Sequence, residues 1–269
     1  MADQANTNTN TNPPASTNVN ANVNVNGTAN ANDAPGWYGK LSILGDFAHR
    51  RLPAEFIQVG DAWLSHAMTA SHQQLGDQWL DVYLNAPVMR FAWAPGVADA
   101  QHWWFGLLMP SCDNVGRYFP LLIAHRRTRP PLDRIALDHL ESWFDHLAEA
   151  AAHTLGDQAT IESFEQALSD APPWPTPSAR TWMPPRPMSD SSSSPTQSST
   201  SVPTTERYLL GRNATLNHWL YAMAIDDLHM RFSGCSIWWR RNAAGQESIA
   251  SVVRGLPEAS AFAQMLSGT

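Results

Sequence analysis

Cysteine and lysine are both scarce in this chain, and each shortage excludes a class of protein. The 269 residues include two cysteines, Cys112 and Cys235, which are too few for a disulfide framework. A structural zinc site would normally need four cysteine or histidine ligands. Lys40 is the single lysine, and the net charge is -7. This balance predicts no nucleic-acid-binding surface, because such surfaces need clustered cations.

Long apolar runs are also missing. No run approaches the roughly 20 residues that a membrane-spanning helix needs. The opening MADQANTNTN contains neither the basic nor the apolar segment of a signal peptide. We therefore expect no insertion into a membrane and a cytoplasmic location, where both thiols stay reduced. With 43% hydrophobic residues and 12 tryptophans, the chain can still bury a large core.

Two segments of biased composition divide the chain. Residues 1–35 contain 11 asparagines and no aromatic residue, which predicts a disordered tail. Residues 171–206 contain nine prolines and nine serines, which predicts a disordered inserted linker. The segment 207–269 is short for an independent domain. We therefore expect 36–170 and 207–269 to form one domain together.

Hydrophobic spacing predicts the elements of this domain. Apolar residues three or four positions apart predict helices at about 53–67, 75–83, 132–155, 161–168, 216–223 and 257–266. Apolar runs and alternating patterns predict strands at 89–93, 102–109, 118–124, 236–240 and 248–253. Strands joined as hairpins and flanked by helices indicate an α/β fold, with a mostly antiparallel sheet covered by helices.

Gly36–Phe47 is the first segment that could form a site. Its Gly39-Lys40 pair suggests a phosphate-binding loop, but the required earlier glycine is replaced by Ala34. Lys40 is also followed by leucine, so no hydroxyl is available there for magnesium. We interpret the segment as a short edge strand between two glycine turns, with Asp46 capping or pairing locally. A binding surface is the alternative.

Pro110–Leu121 joins two strongly apolar strands and could supply a nucleophile. Ser111 or Cys112 would then act beside Asp113. The Gly-x-Ser-x-Gly pattern is absent, however, and residues adjacent in sequence do not make a catalytic triad. A cysteine nucleophile would further need a base, which sequence alone does not place beside it.

A turn is the interpretation of this segment that we favour. Ser111 and Asp113 would then bond backbone amides, as short polar side chains do in turns. Gly116 would supply a positive φ, and Arg117 would pair with a carboxylate.

Histidine is the remaining candidate for metal binding. His139, His146 and His153 recur every seven residues on the third predicted helix, whereas ligands on one helix need a spacing of three or four. The His-Glu-x-x-His motif is absent. We therefore predict a solvated helix face, no metal and no cofactor.

Several blocks of sequence, taken together and in order, resemble the TagF family of type VI secretion-associated proteins. They are Gly39–Phe47 followed by Arg51-Leu-Pro53 and Trp63-Leu64, then Pro110–Leu121, Ser236-Ile-Trp-Trp239 and Gly255-Leu-Pro257. Cys112 stands where the family more often has a small aliphatic residue, which favours packing over chemistry at that position.

The resemblance implies a cytoplasmic accessory protein that represses type VI secretion after translation. Some relatives act by binding a scaffold protein with a forkhead-associated domain. The implied fold is an α/β/α sandwich of the longin or profilin-like kind. The phosphatase domain fused to some relatives is not expected, because the chain has no Asp-Gly-x-Gly-Gly motif. We thus expect no enzyme; a hydrolase using Cys112 or Ser111 and a structural subunit of the apparatus are the alternatives.

The matched blocks also give the expected partner-binding or structural residues. These are Gly39, Lys40, Gly45, Asp46, Phe47, Arg51, Ser111, Asp113, Gly116, Arg117, Trp238 and Trp239. Polar groups beside apolar strands single out two segments among them, Gly39–Phe47 and Asp113–Arg117. We expect the contact surface for the partner to include both.

Overall fold

The computed structural model describes residues 33–131, 134–174, 186–187, 208–209, 216–240 and 250–267. Most of the predicted tail, 1–35, and most of the predicted linker, 171–206, lie outside these residues. Groups of strands and groups of helices follow one another along the chain, and the described strands form one seven-stranded sheet and one two-stranded sheet.

The strands are mostly short. Their bounds are β1 Gly36–Gly39, β2 Ala48–Arg50, β3 Met89–Trp93, β4 Trp103–Met109, β5 Leu121–Arg127, β6 Arg186–Pro187, β7 Tyr208–Leu209, β8 Cys235–Trp239 and β9 Ala250–Arg254. β3, β4, β5, β8 and β9 lie close to the predicted positions, whereas β2, β6 and β7 were not predicted. The helices are α1 Ala54–Leu75, α2 Trp79–Leu84, α3 Arg134–His153, α4 Ile161–Ser169, α5 Leu216–Phe232 and α6 Ala259–Ser267. None of these described helices has the length and apolar character needed to cross a membrane.

Seven strands form one antiparallel sheet in the order β2-β1-β5-β4-β3-β8-β9. β4 and β5 lie inside the sheet, and the apolar side chains of Trp103–Met109 and Leu121–Ala124 are buried on both faces, whereas His125–Arg127 at the end of β5 are partly exposed. β8 adds to the sheet by pairing with β3, with Phe91 opposite Trp238. The prediction of a mostly antiparallel central sheet is confirmed.

Side chains alternate between two cores, one on each face of the sheet. One core packs Trp37, Leu107, Leu121 and Ile123 of the sheet against Trp143, Phe144 and Leu147 of α3 and Phe164 of α4. The other packs Tyr38, Phe91, Trp93 and Leu122 against Phe56 and Leu64 of α1, Tyr83 of α2 and Phe262 of α6. Helices therefore cover both faces, and the expected α/β/α sandwich is confirmed.

Two predicted boundaries differ from the structure because individual side chains join the core. Trp174, predicted to belong to the linker, is buried, and its ring lies 4.8 Å from that of Phe105 and 5.1 Å from that of Trp143. Ala34, assigned to the tail, is buried as well. An apolar residue within a biased segment can still find a place in the core.

The strand predicted within Gly36–Phe47 is present as β1, but its predicted position at an edge of the sheet is wrong. β1 ends at Gly39 and lies between β2 and β5, so it is not an edge. Residues 40–47 form the connection to β2, closed by a hydrogen bond from the Leu44 N–H to the Leu41 carbonyl. The chain leaves the sheet at Gly39, whose φ of 133° suits glycine.

Gly106, in the middle of β4, tests how closely the sheet is packed. A Cβ added there would lie 2.0 Å from the Ile123 carbonyl oxygen and 2.6 Å from Phe91 Cζ. We expect Gly106→Ala to lower the free energy of unfolding by about 1–3 kcal/mol or more, because the obstacle is backbone of a central strand. Chemical denaturation measures this.

Gly156→Ala is the matched control for Gly106→Ala. A Cβ at Gly156 would meet its nearest atom, the His153 carbonyl oxygen, at 3.4 Å. This is ordinary van der Waals contact, so we expect little loss of stability. Equal losses in the two variants would contradict the packing described for β4.

Candidate functional site

A buried ion pair joins the two segments that the sequence analysis singled out. Lys40 Nζ donates a hydrogen bond to Asp113 Oδ2 at 2.7 Å. The side chains of Lys40 and Asp113 are 6% and 0% exposed. Because two buried charges are stable only when they are paired, this contact fixes the loop after β1 against the turn between β4 and β5.

Asp113 also organises its own turn. Its Oδ1 accepts hydrogen bonds from the backbone N–H groups of Val115 and Arg117, at 3.1 and 2.8 Å. Its Oδ2 additionally accepts from Arg117 Nε at 2.7 Å. Gly116 has a φ of 81°, which closes the turn. Burial opposes ionisation of Asp113, but the hydrogen bonds from Lys40 and Arg117 outweigh it and hold the pKa of Asp113 well below its usual range.

Two hydrogen bonds join Ser111 to Tyr83 of α2. The Tyr83 hydroxyl donates to the Ser111 carbonyl and accepts from the Ser111 N–H, both at 2.9 Å. Burial raises the pKa of Tyr83, so the phenol stays neutral. The Ser111 hydroxyl in turn donates to the Lys40 carbonyl at 2.8 Å. Sequence patterns did not identify Tyr83 as part of this arrangement, since its apolar helical spacing marks only a core position.

Four side chains of the loop after β1 and the turn between β4 and β5 reach solvent. Arg117 is 56% exposed at its side chain and donates to the Gly45 carbonyl at 2.6 Å. Phe47 is 45% exposed and packs edge-on against Phe119, while Val115 is 67% exposed at the tip of the turn. Asp46 accepts a hydrogen bond from the Phe47 N–H. We call Asp46, Phe47, Val115 and Arg117 the turn surface.

The remaining predicted site residues lie elsewhere. Trp238 is buried against Trp63 of α1, and Trp239 packs on Phe144 of α3, so these neighbours occupy opposite faces of β8. Arg51 donates to the Pro35 carbonyl and pairs with Glu165 of α4. The structure thus brings together the residues of Gly39–Phe47 and Ser111–Arg117, but not Arg51, Trp238 or Trp239.

The histidines of α3 do not gather into a ligand set. Instead, His146 bonds the Ala167 carbonyl at 2.7 Å, which ties α3 to α4. Across the described parts of the chain, no group of three or more histidine, cysteine, aspartate or glutamate side chains could hold a metal ion.

Arg90 is a charged core residue that the sequence analysis missed. It is 3% exposed within β3, and its guanidinium pairs with Glu141 and Asp145 of α3, both at 2.5 Å. Its only signal in the sequence is its position between apolar residues of a strand. Because these ion pairs join β3 to α3, we assign Arg90 a structural role.

These features define an α/β/α sandwich that presents a turn surface fixed by a buried ion pair. A family model, the TagF N-terminal domain, type VI secretion system-associated, matches residues 36–171. The match covers β1 to α4 and therefore both segments of the turn surface. The chain belongs to the TagF family and is associated with type VI secretion.

A solved structure supports the same assignment. The chain is similar to PA0076 from Pseudomonas aeruginosa PAO1, known from a crystal structure at 2.05 Å resolution. The two are 34% identical with a TM-score of 0.63, over 88% of this chain and 95% of that chain. No protein in the search of curated proteins matches the chain.

Asp113 gives the stability of the protein a pH dependence of known sign. A carboxyl whose pKa is depressed in the folded state contributes stability above its unfolded pKa of about 4 and loses it as pH falls further. We expect Asp113→Asn to lower the melting temperature at pH 7. The difference from wild type should narrow below about pH 4, because the unfolded wild-type chain then binds a proton that the folded ion pair excludes.

Melting curves between pH 7 and pH 3 measure this difference. Asp157→Asn is the control, because Asp157 is exposed in the loop between α3 and α4. A gap between Asp113→Asn and wild type that stays constant down to pH 3 would show that the buried ion pair does not stabilise the fold.

Proposed function

We propose that this protein represses type VI secretion after translation by binding a component of the apparatus, with its turn surface as the contact. The proposed partner is the scaffold protein with a forkhead-associated domain, and the proposed location is the cytoplasm. Membership of the TagF family supports the link to type VI secretion. The repressor role and the partner rest on the family resemblance of the sequence blocks.

The proposal rests on one observation: apolar and charged side chains are exposed side by side on a loop and a turn that a buried ion pair joins. Phe47 and Val115 offer apolar area, while Asp46 and Arg117 offer charges of opposite sign. Aromatic residues and arginine are enriched in protein–protein contacts, where a rigid surface loses little conformational entropy on binding. The buried Lys40–Asp113 ion pair holds the two segments of the turn surface in fixed positions.

The alternative of a hydrolase finds less support in the same geometry. The Ser111 hydroxyl is buried and donates to the Lys40 carbonyl, an acceptor that cannot take up its proton. A serine nucleophile needs a neighbouring general base and access to substrate. Cys112 forms a backbone bridge with Tyr118, which fits a role in shaping the turn. We therefore propose a binding protein and not a catalyst.

Val115→Asp tests the turn surface directly. Val115 is 67% exposed, so the substitution should leave the fold intact while placing a charge in the contact. We expect about a tenfold or larger loss of affinity for the forkhead-associated-domain protein, because burying an unpaired charge in an interface is costly. Affinity capture from a lysate of the native bacterium, followed by titration of the purified pair, measures the change.

Met230→Asp is the matched control, since Met230 is 82% exposed on α5, outside the turn surface. Equal capture by the two variants would remove the turn surface from the proposal. Secretion from a strain lacking the protein tests the repressor role separately. Secretion should rise in that strain, and a strain that stops secreting would favour a structural subunit instead.

A further inference from the structure

The two edges of the seven-stranded sheet are built differently. β2, at one edge, has three residues, of which His49 and Arg50 are exposed. Arg51 directly after it holds a left-handed backbone conformation, with φ 59°, which bends the chain away. A short, charged and bent edge resists pairing with another strand. β9, at the other edge, has five residues in unbroken register with β8, contains no proline and carries its single charge at its last residue, Arg254.

The β9 edge is open to solvent on both faces of the sheet. Ser251 points to the face that α1 and α6 cover, and Val252 points to the face that α3 and α4 cover, since successive side chains of a strand alternate. Both residues are exposed, and Val252 is 51% exposed although its side chain is apolar and β-branched. The helices of the sandwich therefore end short of this edge, and a further strand could lie beside β9 without meeting them.

The hydrogen bonds of β8 show which backbone groups of β9 point outward. The Cys235 carbonyl of β8 accepts from the Ala94 N–H, just after β3, at 3.0 Å. In an antiparallel sheet the backbone groups of successive residues point to opposite neighbours, so those of Ser236 and Trp238 point to β9.

Three residues of β9 therefore direct their backbone groups away from the sheet. The partners of Ser236 and Trp238 in β9 are Val253 and Ser251, which use their N–H and C=O groups on β8. The outward-pointing residues are Ala250, Val252 and Arg254. Their outward N–H and C=O groups make no hydrogen bond with any of the residues that the structure describes. An edge of this kind is a ready site for pairing with another strand.

The sequence of β9 suits an antiparallel copy of itself. Pairing about a two-fold axis at Val252, the middle residue of β9, places it opposite the partner's Val252. Ala250 then lies opposite the partner's Arg254, where its small side chain leaves room for the arginine. All three outward-pointing residues of each strand find a partner, and about six hydrogen bonds form between the strands. The two Arg254 residues lie about 14 Å apart along the strands, beyond the Debye length of about 8 Å, so their repulsion is screened.

We propose that β9 pairs with β9 of a second copy of this chain, antiparallel and centred on Val252, so that two seven-stranded sheets become one continuous sheet. A second copy is the occupant that β9 favours, because the pairing is identical from both sides, as a two-fold contact requires. Two five-residue strands bury less than the roughly 800 Å² per partner of a standard stable interface, so the dimer dissociates on dilution. β3 and β8 separate β9 from β4, so each dimer presents two free turn surfaces.

Val252→Pro tests the hydrogen bonds of this pairing. Proline removes the outward-pointing N–H, which an edge strand tolerates, and leaves the bonds of β9 to β8 in place. Sedimentation equilibrium of the full chain at increasing concentration should show the wild-type mass rising from 29.7 kDa towards twice that value. Val252→Pro should dimerise at least about tenfold more weakly, because two hydrogen bonds at the axis are lost. Val252→Thr, the matched control, keeps the N–H and the β-branched shape and should dimerise within about threefold of wild type.

Cross-linking gives a second measurement that does not depend on proline. In a Cys112→Ala background the remaining native thiol, Cys235, is buried. Directly opposite Cα atoms in a hydrogen-bonded pair lie about 5.5 Å apart, within the range of a disulfide. Oxidised glutathione should therefore cross-link Val252→Cys into a dimer on a non-reducing gel. Ser251→Cys is the control, because the two copies of that position lie about 8 Å apart and should not cross-link.

A wild-type mass of 29.7 kDa at every concentration would overturn the proposal. Equal dimerisation of wild type and Val252→Pro would overturn it as well, since the copies would then meet at another surface. Cross-linking of Ser251→Cys as efficient as that of Val252→Cys would contradict the register centred on Val252. These measurements concern the mass and the cross-links of the protein alone, so their result does not depend on the proposed binding partner of the turn surface.

Discussion

The ion pair between Lys40 and Asp113 is the contact on which the turn surface depends. It joins residues 73 positions apart, one leaving β1 and the other leaving β4. Asp113 is fully buried and accepts from Lys40 and Arg117 as well as from two backbone amides, so its charge is compensated on every side. Loss of one partner would leave a buried charge without compensation, which is why we treat the loop and the turn as one unit.

Backbone packing at Gly39 makes this ion pair possible. Gly39 lies opposite Leu121, and a Cβ on it would be 2.2 Å from the Pro120 carbonyl oxygen. Only glycine allows β1 and the start of β5 to approach so closely with a φ of 133°. The close approach places Lys40 beside the turn between β4 and β5. One glycine thus determines where the single lysine of the chain points.

Local patterns in the sequence predicted much of this arrangement, and distant contacts account for the rest. The apolar runs of β4 and β5 are continuous, so their burial on both faces could be predicted. The Asp113–Arg117 contact lies within one turn and follows from turn chemistry. The Lys40–Asp113 contact was not predicted, because nothing in a single sequence relates positions 73 residues apart. The contact between Asp33 and His125 was not predicted either, because Asp33 lies in a segment whose composition predicts disorder.

β1 lies between two ion pairs, Asp33–Arg127 and Lys40–Asp113, and positions both of them. It has four residues, with Trp37 in one core and Tyr38 in the other. The Asp33–Arg127 pair lies beyond its start and the Lys40–Asp113 pair beyond its end. A slip of one residue in its pairing would exchange the two aromatic rings between cores and separate both ion pairs. The register of β1 is therefore specified several times over, and both ion pairs are held as fixed geometry at opposite ends of one strand.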